Sequence, residues 1–258
     1  MSLKPITDAS KLHDDKAQRY YDRYVLYDDN PYESTFTYGR KKIWEIIDSI
    51  LSSYPPPQEV LDIGCGTGYN LKILTEKGYH CSGIDASQKM VERAQQDNPG
   101  LIITQADARD LPFGNSHFHI VISIEVLRYI PDSEKAISEI YRILKRGGIA
   151  VVTVGPRLAL HGYAFFNRLV SKFKITGFSP TFQYFETSSS VKRKFMAQGF
   201  KHINVKGCFL GPFSLLSRVI SKKTMETLLY TYEPLDNYLQ KISIFNNFSN
   251  HLIVIARK

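Results

Sequence analysis

What this chain has little of sets the first limits on it. Three cysteines, Cys65, Cys81 and Cys208, stand in 258 residues. So sparse and odd a set shows neither a disulfide framework nor metal-ligand spacing, so the cysteines read as buried thiols and no metal site is expected. No apolar run approaches the roughly 18 residues of a spanning helix. The amino terminus lacks a signal-peptide pattern, so a soluble, cytoplasmic protein is the expectation. Internal repeats and low-complexity tracts are absent as well, which leaves one ordinary folded domain with insertions as the simplest organisation. Acid is scarce in one region only. From Gly155 onward, 15 Lys and Arg face 4 Asp and Glu, so that region carries +11 and residues 1–154 carry −3 of the total +8.

What is present is a core-forming composition, 43% apolar, and one highly structured segment. Val60-Leu61-Asp62-Ile63-Gly64-Cys65-Gly66-Thr67-Gly68-Tyr69-Asn70 joins a doubly covered strand to a helix expected over about Thr67 to Lys77. Glycine permits a sharp turn at Gly64 and Gly66 and lets a ligand lie against the backbone, beside the free amides of a helix start. The spacing is Gly-x-Gly-x-Gly after Asp62, whereas the dinucleotide fingerprint is Gly-x-Gly-x-x-Gly. A carboxylate beneath the loop repels a pyrophosphate and attracts a ligand that carries an ammonium and a sulfonium.

With that loop, the chain resembles the class I S-adenosylmethionine-dependent methyltransferases, most closely the group containing the ubiquinone and menaquinone methyltransferases (type 11). The resemblance covers about residues 40 to 154 and, more loosely, the last strands. It implies an α/β, Rossmann-like, mostly parallel seven-stranded sheet with an antiparallel last strand, helices on both faces and an inserted helical cap. Domain boundaries follow as a lid segment over residues 1–39 and a methyltransferase domain over 40–258, with cap insertions at about 156–186 and 210–250.

The site residues implied by the resemblance fall along successive strands. Asp62, Gly64, Cys65, Gly66 and Gly68 form the loop. The strand His80-Cys81-Ser82-Gly83-Ile84-Asp85 ends in an acid 17 residues past Gly68, where a carboxylate accepts the ribose hydroxyls. Ala86, Ser87 and Met90 open the next helix and would pack on adenine. The third strand, Leu101 to Ala106, leads to Asp107-Ala108, where relatives accept from the adenine amino group. Ser123 and Glu125 follow the fourth strand, Phe118 to Ser123, and complete the cofactor set. Tyr129 stands where relatives often carry histidine. A helix over Asp132 to Lys145, ended by Arg146-Gly147-Gly148, precedes a fifth strand, Ile149 to Val154. Upstream, Tyr20 and Tyr24 share the face of a helix that resembles a mobile cofactor cover, and Arg40 is the candidate partner of the cofactor carboxylate.

The acceptor has no such signature. The insertion after the fifth strand holds Tyr163, Phe165, Phe166, Phe173, Phe178, Phe182, Tyr184 and Phe185, and a second runs from Leu210 to Asn250 between strands His202 to Phe209 and His251 to Ala256. Aromatic-rich additions suit a lid over an apolar or amphipathic acceptor, and also an insertion's own core. The segments Ala164 to Phe173 and Phe213 to Lys223 are basic and amphipathic, patterns that fit cap helices as well as peripheral membrane contact. Methyl transfer from a sulfonium needs a base only if the nucleophile must lose a proton. His161 and Tyr129 are the candidates for base or orienter. The function expected is methyl transfer from S-adenosylmethionine, leaving S-adenosylhomocysteine, to an O, C or N nucleophile of a small-molecule or lipid-like acceptor. An RNA methyltransferase and a non-catalytic S-adenosylmethionine-binding regulatory protein are the alternatives; nothing points to DNA.

Overall fold

The computed structural model describes residues 14, 18, 19, 21, 22, 29–160, 183–217 and 219–258. Tyr20, Tyr24, His161 and the segment Ala164 to Phe173 lie outside the described residues.

Strands β1 (Glu59–Ile63), β2 (His80–Asp85), β3 (Ile102–Gln105), β4 (Phe118–Ser123), β5 (Leu144–Pro156), β7 (His202–Leu210) and β8 (Ser249–Arg257) form one sheet in the order β3-β2-β1-β4-β5-β8-β7. The two-residue β6 (Phe185–Glu186) pairs with the end of β5 as an unanticipated extra strand. Every pairing is parallel except those that β8 makes with β5 and β7. Strand order reverses between β1 and β4, so a crevice opens beyond their carboxyl ends, where ligands of such sheets bind.

Both faces are covered, which explains the nearly continuous apolar strands. Helices α1 (Thr35–Leu51), α2 (Tyr69–Glu76) and α3 (Gln88–Asp97) cover one face through Ile43, Ile47, Leu71, Leu74, Val91 and Ala94. Helices α4 (Ser133–Ile143) and α5 (Ser188–Ala197) cover the other with Ile137, Ile140, Ile143, Val191 and Phe195. Ile137, Ile140 and Ile143 are fully buried and recur at helical spacing, each worth roughly 2 kcal/mol of burial. Local signals set the starts: Ser34 caps α1 and Thr187 caps α5, each with a capping box.

Several boundaries moved. The helix expected over Asp132 to Lys145 stops at Ile143, and Arg146-Gly147-Gly148 lies inside a longer β5. There Gly147 donates to Lys258 O, because β8 reaches far enough to hold that end in the sheet. The expected helix start at Thr67 slips to Tyr69, since Gly68 adopts φ 83. The amphipathic segment Phe213 to Lys223 is two elements, a single turn α6 (Phe213–Leu216) and α7 (Lys222–Leu239). Ser221 separates them by turning its side chain back to accept from Thr224 N, a cap rather than a helix interior. The three thiols are free and buried, as read from sequence.

Helix α7 lies between β7 and β8. It packs Met225 and Leu229 against Tyr38, Phe209 and Phe213. Beneath lies a polar layer between α1 and α7. Lys42, fully buried, meets Glu45, Glu233 and Asn237. Asp236, also fully buried, accepts from Tyr38 Oη and Leu210 N, both at 2.9 Å. Among the described residues, no helix is long and apolar enough to cross a membrane.

Candidate cofactor and acceptor site

The loop after β1 is built around glycine. Gly64 turns at φ 73, and its amide and that of Cys65 both donate to Ile84 O, at 2.7 and 2.9 Å, tying the loop to β2. A Cβ on Gly64 would come within 2.2 Å of Val126 Cγ2, so no other residue fits there. Gly66, at φ 55, differs. Among the described residues nothing lies within 4 Å of its missing Cβ, and they leave the loop open to a ligand at that point.

Asp85 closes the loop from β2. Its Oδ2 accepts from Gly66 N and its Oδ1 from Ser87 N, each at 2.9 Å. Each carboxylate oxygen has a further lone pair, so Asp85 can grip the loop and still receive hydroxyl donors. Ser87 caps α3 by accepting from Met90 N and also donates to Asp14. Met90 is buried, and Ala86 O accepts from Gln105 Nε2 at 3.1 Å.

Beneath the loop, Asp62 is fully buried and accepts from Asn70 Nδ2 at 3.0 Å through Oδ2 alone. Its Oδ1, Asn70 Oδ1 and Ser123 Oγ are buried polar atoms with no hydrogen-bond partner among the described residues. Burial pushes the Asp62 carboxyl up to about 7; Asn70 opposes the rise, Asp85 adds to it and Arg40 opposes it. Three unmatched polar atoms around an open glycine loop fit a polar ligand with a cationic group better than an apolar core. Arg40, half-buried, lies near enough to Asp62 and Glu125 to favour the charged form of both carboxylates.

Asp107 sits past β3 as expected, with Ala108 buried beside it. Arg109, which the sequence reading did not single out, engages it from two positions along the chain, with Nε at 3.0 Å from Oδ1 and Nη2 at 2.6 Å from Oδ2. The acid is therefore held in place rather than left pointing freely at a base.

Beyond β4 the backbone is strained. Glu125 adopts φ 64, uncommon for a residue with a side chain. Its amide donates to Thr153 Oγ1 at 2.6 Å, and its carboxylate meets Arg128 Nη1 at 2.7 Å and His251 Nδ1 at 3.1 Å. Burial alone pushes this carboxyl up. Arg128, then His251 and Arg40, outweigh it and hold the group well below the usual carboxylate range. Tyr129 is half-buried and closes the short helix Leu127–Tyr129, one residue beyond Arg128. Thr153, Arg128 and His251 escaped the sequence reading. Only the Glu125 to Arg128 spacing offered a hint of them.

Known proteins resemble this chain in the same region. A family model described as a methyltransferase domain matches residues 61–152. The 2-methyl-6-phytyl-1,4-hydroquinone methyltransferase of Synechocystis is 36% identical over 106 residues, 40% of this chain and 33% of that protein. Probable tRNA methyltransferase 9B of Mus musculus is 35% identical over 129 residues, 48% of this chain and 28% of that protein. These matches span about a third of the length of those two relatives. An uncharacterized methyltransferase of Bacillus subtilis is 33% identical over 127 residues, 46% of this chain and 70% of that protein. Among solved structures, an S-adenosylmethionine-dependent methyltransferase from Thermotoga maritima superposes with a TM-score of 0.63 at 16% identity, covering 95% of this chain and 97% of that one.

Proposed function

The chain belongs to the class I S-adenosylmethionine-dependent methyltransferases of the type 11 group, and we propose that it methylates a small-molecule or lipid-like acceptor at an oxygen, carbon or nitrogen nucleophile. S-adenosylhomocysteine is the product left behind. The observation that carries this reading is the open glycine loop clamped by Asp85 above the unpaired oxygen of Asp62.

Each residue then has a task. Asp85 receives the ribose hydroxyls while it fixes Gly66. Ala86, Ser87, Met90 and Ala108 border the adenine, and Asp107, steadied by Arg109, accepts from its amino group. Asp62 and Ser123 offer their unpaired oxygens to the ammonium end, with Arg40 facing the carboxylate. The cofactor supplies an electrophilic methyl group on a positively charged sulfur. The protein supplies alignment, which can account for much of such a displacement. The lid of residues 1–39, with Tyr20 and Tyr24, and the caps at 156–186 and 210–250 complete the proposed enclosure.

Calorimetric titration with S-adenosylmethionine, S-adenosylhomocysteine and NADH tests this. Binding of the first two is expected in the micromolar range and NADH binding is not. Asp85→Ala should weaken the two by about 100-fold, the loss of two charge-assisted hydrogen bonds. A folded protein that binds neither adenosyl ligand overturns the reading.

RNA is the second reading, favoured by the +11 of residues 155–258 and by the similarity to a protein named as a tRNA methyltransferase. It expects tRNA affinity that falls steeply with salt, and no binding at low salt would end it. Peripheral membrane contact belongs to the first reading. Its support is the exposed Leu215, Leu216 and Val219 beside Lys222 and Lys223.

A further inference from the structure

Helix α7 is polarised the wrong way for a surface helix. Its three acids all turn inward, toward α1 and the residues just before it. Glu226 accepts from Asn30 at 2.9 Å, Glu233 pairs with Lys41 and Lys42, and the buried Asp236 accepts from Tyr38. The side shown to solvent is uncharged. Thr227, Tyr230, Thr231, Pro234, Leu235 and Tyr238 are exposed and, at about 3.6 residues per turn, share one side of the helix. Surface helices ordinarily bury the apolar side and hydrate the charged one. We infer that this stripe is the face through which the protein pairs with a second copy of itself, as a two-fold dimer.

The stripe has the composition of an interface. Tyr230 and Tyr238 are 66% and 62% exposed and Leu235 is 52% exposed. Tyrosine offers a large amphipathic contact with little rotamer freedom to lose. One ring is already held in place, since Tyr230 meets Tyr32 edge-on at 5.3 Å and the Tyr32 hydroxyl donates to Glu233. Pro234 adds a polar point. It has no amide hydrogen to give the carbonyl of Tyr230 four residues back, so the helix does not supply that oxygen with its usual donor and a hydroxyl from outside can.

Charge and symmetry choose the occupant. Lys223 and Lys241 bound the stripe at its two ends, with no cation between them to meet a lipid headgroup or a nucleic-acid phosphate. In an isologous pair with its two-fold axis at Pro234 the two helices run antiparallel, and position 230 of one copy faces position 238 of the other. Each tyrosine then packs against the opposite tyrosine of the second copy, and the partner's Tyr238 brings a hydroxyl to the Tyr230 carbonyl. Each lysine falls beside uncharged residues, whereas a parallel pair would set it against its own counterpart. The six side chains present about 500 Å² per copy and about 1,000 Å² for the pair, the lower end of specific interfaces, so a reversible dimer with Kd on the order of 10 μM is expected. None of the stripe residues belongs to the proposed cofactor set, and the pairing is independent of the methyl-transfer reading.

Sedimentation velocity of the full chain from about 1 to about 200 μM tests the pairing, because association follows mass action. The sedimentation coefficient should rise with concentration from that of a monomer to that of a dimer. Leu235→Glu together with Tyr238→Glu brings like charges together across the interface and should leave a monomer throughout, a weakening of at least about 100-fold. S-adenosylhomocysteine affinity should stay within about twofold of wild type in that variant. Pro234→Cys covers the case in which the acidic variant folds poorly, since it removes a residue unfavourable in a helix. The three native thiols are buried, so mild oxidation of Pro234→Cys should give a disulfide-linked dimer, and Lys206→Cys, exposed on β7, should not. A wild-type monomer at the highest concentration, a dimer that survives both acidic substitutions, or equal cross-linking of Lys206→Cys overturns the inference. So does a wild-type monomer that sediments with phosphatidylserine vesicles and loses that binding with the same substitutions, which gives the stripe to a membrane. Failure of wild type to bind S-adenosylhomocysteine overturns the methyl-transfer reading and not the pairing.

Discussion

The region around the glycine loop and the region where α1, α7 and β8 meet are assembled differently. Around the glycine loop, most polar contacts join residues close in the chain: Asp85 with Ser87 two residues on, Asn70 with Asp62 eight apart, Asp85 with Gly66 nineteen apart, with Ser87 to Asp14 the longer exception. On the other side the distances are of another order. Glu125 meets His251 across 126 positions, Lys42 meets Asn237 across 195 and Tyr38 meets Asp236 across 198. Short-range contacts are available to a βαβ unit by itself, so that half can be fixed by a compact motif. Long-range ones require the whole sheet to close first, and they are where an insertion can be changed without disturbing the loop.

Gly64→Ala should break the local side hardest. The added carbon meets Val126 Cγ2 at 2.2 Å in a backbone conformation that alanine disfavours. A loss of about 3 kcal/mol or more in urea denaturation is expected, with no measurable S-adenosylhomocysteine binding in whatever remains folded.

Asp236→Ala tests whether the distant side is separable. It leaves the buried Tyr38 hydroxyl and Leu210 amide without an acceptor, which costs about 2 to 3 kcal/mol. Hydrogen exchange should rise across α7, yet S-adenosylhomocysteine affinity should stay within about twofold of wild type. Loss of cofactor binding in step with the cap would show that the two sides are one unit.

A smaller effect sharpens the comparison through pH. The Asp62 carboxyl titrates near 7 when folded and near 3.8 as an ordinary aspartate, so the native state holds its proton to higher pH than the unfolded chain does. Its effect on stability is favourable at low pH and fades as pH rises through the folded value. The ligand-free protein should lose about 2 kcal/mol from this group between about pH 5.5 and about pH 8, and Asp62→Asn should flatten that slope. S-adenosylmethionine, which brings an ammonium to the unpaired oxygen, should flatten it as well. Thermal melts across pH, with and without ligand, check both statements.

Legibility followed the same division. Val60 to Ile63 as a doubly buried strand, the turn at Gly64, the acid at Asp85 and the apolar row of α4 are all written within a few residues of one another, and the sequence reading located each. Tyr129 and His161, the sequence's candidates for base or orienter, lie on segments that follow strands. His161 falls outside the described residues, and Tyr129 occupies a turn whose neighbour Arg128 makes the ion pair with Glu125. Nothing near His251 in the chain marks it, because its partner belongs to a strand end 126 positions earlier.

Sequence by itself therefore determined the strand and helix periodicities, the glycine loop with its two acids, and through them the family and the kind of cofactor. Those features depend on backbone freedom and on spacing along the chain. Tertiary structure alone decided that Lys42 of α1 and Asp236 of α7 would be buried between those two helices, and that an imidazole from the antiparallel β8 would meet the Glu125 carboxylate. The reason is physical. Burial removes water as a partner, so each of these groups must find its counterpart in space, and only the closed sheet brings together residues that the chain keeps far apart.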